Sequence, residues 1–125
     1  MPTILVVDDS KTMRDNLREL LITEAFDVVE AESGEQGLEM MALHTVNLII
    51  SDLNMPGMDG LTMCSHIKQL GYKVPIFMLT TQTSPEMKAR AKEYGVLAWM
   101  VKPYNREVLM RGIKKVLAMD AGTSK

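Results

Sequence analysis

Asp8-Asp9, Asp52, Thr80 and Lys102 each stand where a short apolar run stops. Thr3-Ile4-Leu5-Val6-Val7 runs into Asp8-Asp9, and Leu48-Ile49-Ile50-Ser51 runs into Asp52. Val74-Pro75-Ile76-Phe77-Met78-Leu79 leads to Thr80, and Leu97 to Val101 leads to Lys102-Pro103. Short apolar runs bounded by loop residues read as strands buried on both faces. In open parallel α/β sheets, ligands bind beyond the C-terminal ends of the strands. If these strands are parallel neighbours, three carboxylates meet at one edge. Crowded anions in a partly buried pocket repel each other and need a cation. Hard oxygen donors with room for water suit Mg2+. Carboxylates, a hydroxyl and an ammonium together fit Mg2+-dependent phosphoryl chemistry, in which metal and lysine neutralise charge on the transferred oxygens. The Thr80 hydroxyl can hydrogen-bond one of those oxygens. A carboxylate is also a competent nucleophile for forming an acyl phosphate. Asp52, alone on what reads as the central strand, is the expected nucleophile; Asp8 and Asp9 sit together as a metal pair would.

The elements that must position these groups follow from pattern. Met13, Leu17, Leu20 and Leu21 make a helical stripe after the first strand, with Ser10 or Thr12 as cap and Arg14, Asp15, Arg18 and Glu19 on the wet side. A more polar strand, Phe26 to Ala31, suits a sheet edge. Ser33-Gly34-Glu35-Gln36 is a capping box that opens a second helix, through about Leu43. After Asp52, Pro56, Gly57 and Gly60 punctuate a loop. A third helix spans Leu61 to Leu70, with Gly71 as its stop. Ser84-Pro85-Glu86 starts a fourth, ended by Gly95. Asn105 caps a fifth, with Val108, Leu109, Ile113, Val116 and Leu117 inward, and Ala121 to Lys125 read as a frayed tail. Alternating strands and helices imply a parallel sheet covered on both faces. Acids delivered by the first and third strands to one site place the winding reversal between them. The expected fold is α/β, a flavodoxin-like (βα)5 doubly wound parallel sheet of strand order 2-1-3-4-5, in a single domain.

Composition narrows the function classes. The chain has 125 residues, 46% of them hydrophobic, and a net charge of −2. That is enough for one domain with a real core and too apolar for disorder. No charge run marks a nucleic-acid arm, and no apolar run reaches membrane-spanning length. The single cysteine, Cys64, excludes an internal disulfide and a multi-cysteine metal site. The start lacks the basic flank of a signal peptide, so a cytoplasmic protein is expected. The twelve methionines fall mostly at apolar positions and read as flexible core fillers.

Val7-Asp8-Asp9-Ser10, Asp52-Leu53-Asn54-Met55-Pro56-Gly57-Met58-Asp59-Gly60, Leu79-Thr80 and Val101-Lys102-Pro103-Tyr104 together resemble a response-regulator receiver domain. The resemblance covers Thr3 to about Met119, so residues 1–125 are expected to be one receiver. It is most similar to the stand-alone chemotaxis type, CheY-like. The resemblance implies that Asp52 takes a phosphoryl group from a histidine kinase, CheA-like in the chemotaxis case. It implies that Asp9, Asp52 and the backbone carbonyl of Asn54 hold Mg2+, with Asp8 acting largely through water. Thr80 then moves toward the phosphoryl group, Lys102 pairs with it, and Trp99 rotates inward in the place where Tyr or Phe is usual. The fourth-helix, fifth-strand, fifth-helix face would change shape and control a partner, such as a flagellar motor switch protein, with a phosphatase as a further partner. Lys88 and Lys92 share a helix face and, with Trp99 and Lys115, are the expected partner surface. A monomer is expected, with no nucleic acid bound. A cis Lys102-Pro103 bond would aim Lys102 into the pocket. Two other readings stay open. One is an aspartyl-nucleophile phosphohydrolase, which would need a second acid pair late in the chain. The other is a scaffold, or one domain of a longer regulator.

Overall fold

The computed structural model describes residues 1–82 and 84–123, with side chains through residue 118. Strands β1 (Thr3–Val7), β2 (Asp27–Ala31), β3 (Leu48–Asp52), β4 (Ile76–Thr80) and β5 (Val96–Val101) alternate with helices. These are α1 (Lys11–Thr23), α2 (Gly34–Leu43), α3 (Gly60–Gln69), α4 (Pro85–Glu93) and α5 (Arg106–Thr123). The strands form one sheet of order β2-β1-β3-β4-β5, with every pair parallel. This is the expected flavodoxin-like winding, with the reversal between β1 and β3.

Successive strand side chains point to opposite faces, and both faces are covered. Leu5, Val7, Ile49, Ile76 and Met78 pack toward α2, α3 and α4, against Met41, Met63, Ile67 and Ala91. Ile4, Val6, Leu48, Ile50, Phe77 and Leu79 pack toward α1 and α5, against Leu17, Leu21, Leu109 and Ile113. Met41, Met55, Met63, Met78 and Met110 are buried, as gap-filling methionines should be.

Short polar side chains start each helix by accepting orphan backbone N–H groups. Ser10 accepts from Met13, Ser33 from Gln36, Asp59 from Thr62, Ser84 from Met87 and Asn105 from Val108. Gln36 completes a reciprocal arrangement by accepting from the Glu32 N–H at 2.7 Å, one residue before the cap. Gly71, at φ 91°, supplies the left-handed residue that stops α3. No helix among the described residues is long and apolar enough to cross a membrane.

Three local expectations are corrected. Val108 is 48% exposed, and Met110 at 7% takes the inward place beside Leu109 and Ile113. Leu109, Ile113, Val116 and Leu117 already complete an i, i+4, i+7, i+8 stripe, which leaves Val108 off the buried arc. Arg14 is not on the wet side of α1: its side chain is only 12% exposed. The expected frayed tail is helical as far as Thr123; Ser124 and Lys125 lie outside the described residues.

Candidate functional site

The acid edge is assembled by register. Val7 of β1 pairs with Ser51 of β3, so the residues that follow, Asp8 and Asp52, leave the sheet side by side. Asp8 is buried, Asp52 partly buried and Asp9 exposed, and carboxylate oxygens of all three lie within 4.8 Å of one another. Asp8 is held on every side. Its N–H donates to the Ala31 carbonyl at 3.0 Å, and its Oδ1 accepts from the Ser10 N–H at 2.9 Å. Its carbonyl accepts from Arg14 Nη1 at 2.6 Å. The β3–α3 loop closes on Asp52 from the other side. Gly60 donates to the Leu53 carbonyl at 2.8 Å. A Cβ at Gly60 would stand 2.3 Å from the Asp52 carbonyl oxygen, so only glycine permits this approach.

Lys102 completes the cluster from β5. Its Nζ donates to Asp8 Oδ2 at 3.1 Å and lies 3.4 Å from Asp52 Oδ2. The Lys102 N–H donates to the Thr80 carbonyl at 2.8 Å, and the Lys102–Pro103 peptide is cis. Burial raises the Asp52 pKa above its ordinary 3.8; Lys102 pulls it down, Asp8 pushes it up, and the Asn54 and Leu53 amides pull it down. One ammonium set against three carboxylates leaves this edge short of positive charge. The donors are all hard oxygens, and the exposed Asp9 lets water in. That donor set fits an oxygen-ligated divalent cation of the Mg2+ kind.

The other expected residues divide into two groups. Thr80 is fully buried at the same edge, one position beyond the Asp52–Leu79 pair. Its Oγ1 accepts from the Gln82 N–H at 3.1 Å, and among the described residues no hydrogen bond joins it to the carboxylates. Trp99 lies away from the acid edge. It pairs with Met78 and packs into the layer under α4. Its indole Nε1 is buried without a partner among the described residues. Lys88, Lys92 and Trp99 converge on a groove of about 530 Å³ between α4 and β5. Lys115 does not line that groove; it is exposed on α5, which covers the opposite face.

The pattern of the response regulator receiver domain matches residues 4–114. The chain belongs to this family. The chemotaxis protein CheY of Bacillus subtilis is 35% identical over 115 residues, which cover 91% of this chain and 96% of that protein. The transcriptional regulatory protein GlrR of Escherichia coli is 33% identical over 118 residues, covering 94% of this chain but 27% of GlrR. The structure of chemotaxis protein CheY4 from Vibrio cholerae superimposes with a TM-score of 0.86 at 38% identity, covering 93% of this chain and 98% of that one.

Two residues at this receiver's acid edge escape a sequence reading. Arg14 bonds the Asp8 carbonyl, and its Nε lies 3.4 Å from Glu30 Oε1 on β2. The available signal was position. Helical side chains lean toward the N-terminus, so a long cation in the first turn of α1 reaches back over the loop before it.

Proposed function

We propose that this receiver is a cytoplasmic phosphorylation switch of the two-component type, spanning residues 1–125 with a core of about 3–119 and acting as a monomer. In this reading Asp52 accepts a phosphoryl group from a phosphohistidine on a CheA-like histidine kinase. An ionised Asp52 oxygen attacks phosphorus while the P–N bond breaks and its bonding pair returns to that ring nitrogen; the other ring nitrogen of the kinase histidine already carries the proton, so neutral imidazole leaves. Asp9, Asp52 and the Asn54 backbone carbonyl would hold Mg2+, with Asp8 acting through water. The ion, when bound, supplies charge neutralisation for the transferred oxygens. Lys102 would supply the second positive charge, a role supported by its contacts with both Asp8 and Asp52. The observation that carries this reading is the convergence of three carboxylates and that lysine at one sheet edge.

The output side follows from Thr80 and Trp99. A phosphoryl oxygen would draw the Thr80 hydroxyl away from the Gln82 amide, opening space into which Trp99 turns. Because β5 is the edge strand, Lys88, Lys92 and Trp99 from the α4 side and Lys115 from α5 on the other side would together flank that edge as the face read by a partner, such as a flagellar motor switch protein. Near-complete coverage of Bacillus subtilis CheY supports a chemotaxis role. A phosphatase is a further partner of this reading.

The test is covalent labelling by a small-molecule phosphodonor in Mg2+. The native chain takes up one label and Asp52→Asn takes up none. Unchanged labelling of Asp52→Asn places the nucleophile elsewhere.

A further inference from the structure

Among the described residues no donor reaches the Asp9 carboxylate, although it is the exposed member of the acid cluster. With no side-chain partner to orient it, what the rest of the chain fixes is the backbone from which it projects. Asp9 sits between two peptide planes, and each plane is tied down. The Asp9–Ser10 peptide is held through the Ser10 N–H, which donates to Asp8 Oδ1 at 2.9 Å. The Asp8–Asp9 peptide is held through the Asp8 carbonyl, which accepts from Arg14 Nη1 at 2.6 Å. A peptide unit is planar, so fixing the Asp8 carbonyl also fixes the Asp9 N–H and the bond from which Asp9 projects.

Arg14 is itself anchored. Its Nε lies 3.4 Å from Glu30 Oε1, and Arg18 Nε stands 3.7 Å from the other Glu30 oxygen. Glu30 pairs with Val6 in the β1–β2 ladder, two residues short of Asp8. The guanidinium thus spans from the sheet to the acid loop with separate N–H groups, which a planar fork of donors can do and a single ammonium cannot.

We infer that Arg14 is a positioning residue for the cation site: it clamps the Asp8–Asp9 peptide so that Asp9 faces Asp8 and Asp52 before an ion arrives. Three carboxylates this close repel each other, and an unclamped loop relieves that repulsion by turning Asp9 into solvent. This inference rests on the cation-site reading above and extends it to a side chain that touches no ion.

Charge and clamp predict opposite signs. Arg14 is a cation near a cation site, so through charge alone its loss tightens Mg2+ binding. As a clamp, its loss weakens binding. A residue that merely ties α1 to the sheet lowers the melting temperature and leaves Mg2+ affinity alone.

The experiment is calorimetric titration of the metal-free full chain with Mg2+ at fixed ionic strength, for native protein, Arg14→Met and Arg14→Lys. Removing an outer partner of a metal site typically costs ten- to a hundredfold in affinity. The expected result is a Kd raised about tenfold in Arg14→Met. Arg14→Lys keeps the charge without the fork and is expected to bind more weakly than native as well. If Arg14→Met does not fold, Arg14→Lys decides alone. Either folded variant binding Mg2+ as tightly as native, or more tightly, overturns the clamp. A native chain that binds no Mg2+ overturns the cation site itself, which is a separate failure.

Discussion

The two flanks of the sheet are built to different standards. On the β2–β1 side, α1 buries Leu17, Leu20 and Leu21, and four groups of Asp8 are engaged: N–H, carbonyl and both carboxylate oxygens. On the β4–β5 side, α4 buries Ala91 alone. The β4–β5 register slips between Ile76 and Phe77, and the Trp99 indole N–H has no partner among the described residues. Little apolar burial and unmet polar groups are marks of the low-stability end of a fold, from which moving elements are drawn. The contrast agrees with the proposed switch: the acid flank is tightly held, and α4 has less apolar burial to lose on rearranging.

The widest gap between the flanks should appear in matched truncations. Leu21→Ala on α1, at a fully buried site, should cost about 2–5 kcal/mol. Met87→Ala on α4, at a half-buried site, should cost less than about 1 kcal/mol. Urea denaturation of both variants measures the difference. Equal losses would mean that α4 is anchored as firmly as α1, and the division of labour would fail.

A smaller effect separates the acid cluster from its surroundings. The folded Asp52 carboxyl has a pKa raised above 3.8, chiefly by burial. A raised carboxyl binds its proton more readily when folded than when unfolded. Its ionisation therefore costs nothing below the unfolded pKa, and the cost grows as pH rises through the folded pKa. In metal-free protein at pH 7, Asp52→Asn should raise the melting temperature, with the gain vanishing on acidification toward pH 3. Added Mg2+ should reverse the ranking, stabilising the native chain by about 1.4 kcal/mol at ten times its Kd and the variant by much less. A variant that melts below native in the absence of metal would mean that the carboxylate is a net structural asset.

What could be read in the sequence, and what could not, divides along the same line. Strand-ending residues are local signals, so Asp8, Asp9, Asp52 and Lys102 could be placed at one edge once the strands were recognised as parallel. Helix caps at Ser10, Ser33, Ser84 and Asn105 were legible for the same reason. Arg14 was not, because polarity alone puts an arginine on the wet face of a helix. Its burial depends on how α1 docks and on Glu30 arriving from β2. On α5 the pattern places Leu109, Ile113, Val116 and Leu117 inward as found, and fails only at Val108, since adjacent apolar residues leave the rim of a helical stripe ambiguous. The Gln82 amide that occupies Thr80 Oγ1 belongs to a loop with no periodicity, so pattern carried no trace of it.

Trp99→Phe probes the loosely held flank with the smallest expected change. The substitution removes an indole N–H that is buried without a partner, and leaving such a donor unmet costs about 1–3 kcal/mol. It also removes part of a large ring packed beneath α4, and lost burial at about 25 cal/mol per Å² is of similar size and opposite sign. The two terms should nearly cancel, leaving stability within about 1 kcal/mol of native by urea denaturation. A loss well above 2 kcal/mol would show that the indole is firmly bonded and packed where it stands. The residue expected to turn inward would then belong with the anchored half of the molecule, and another side chain on β5 would have to carry the switch.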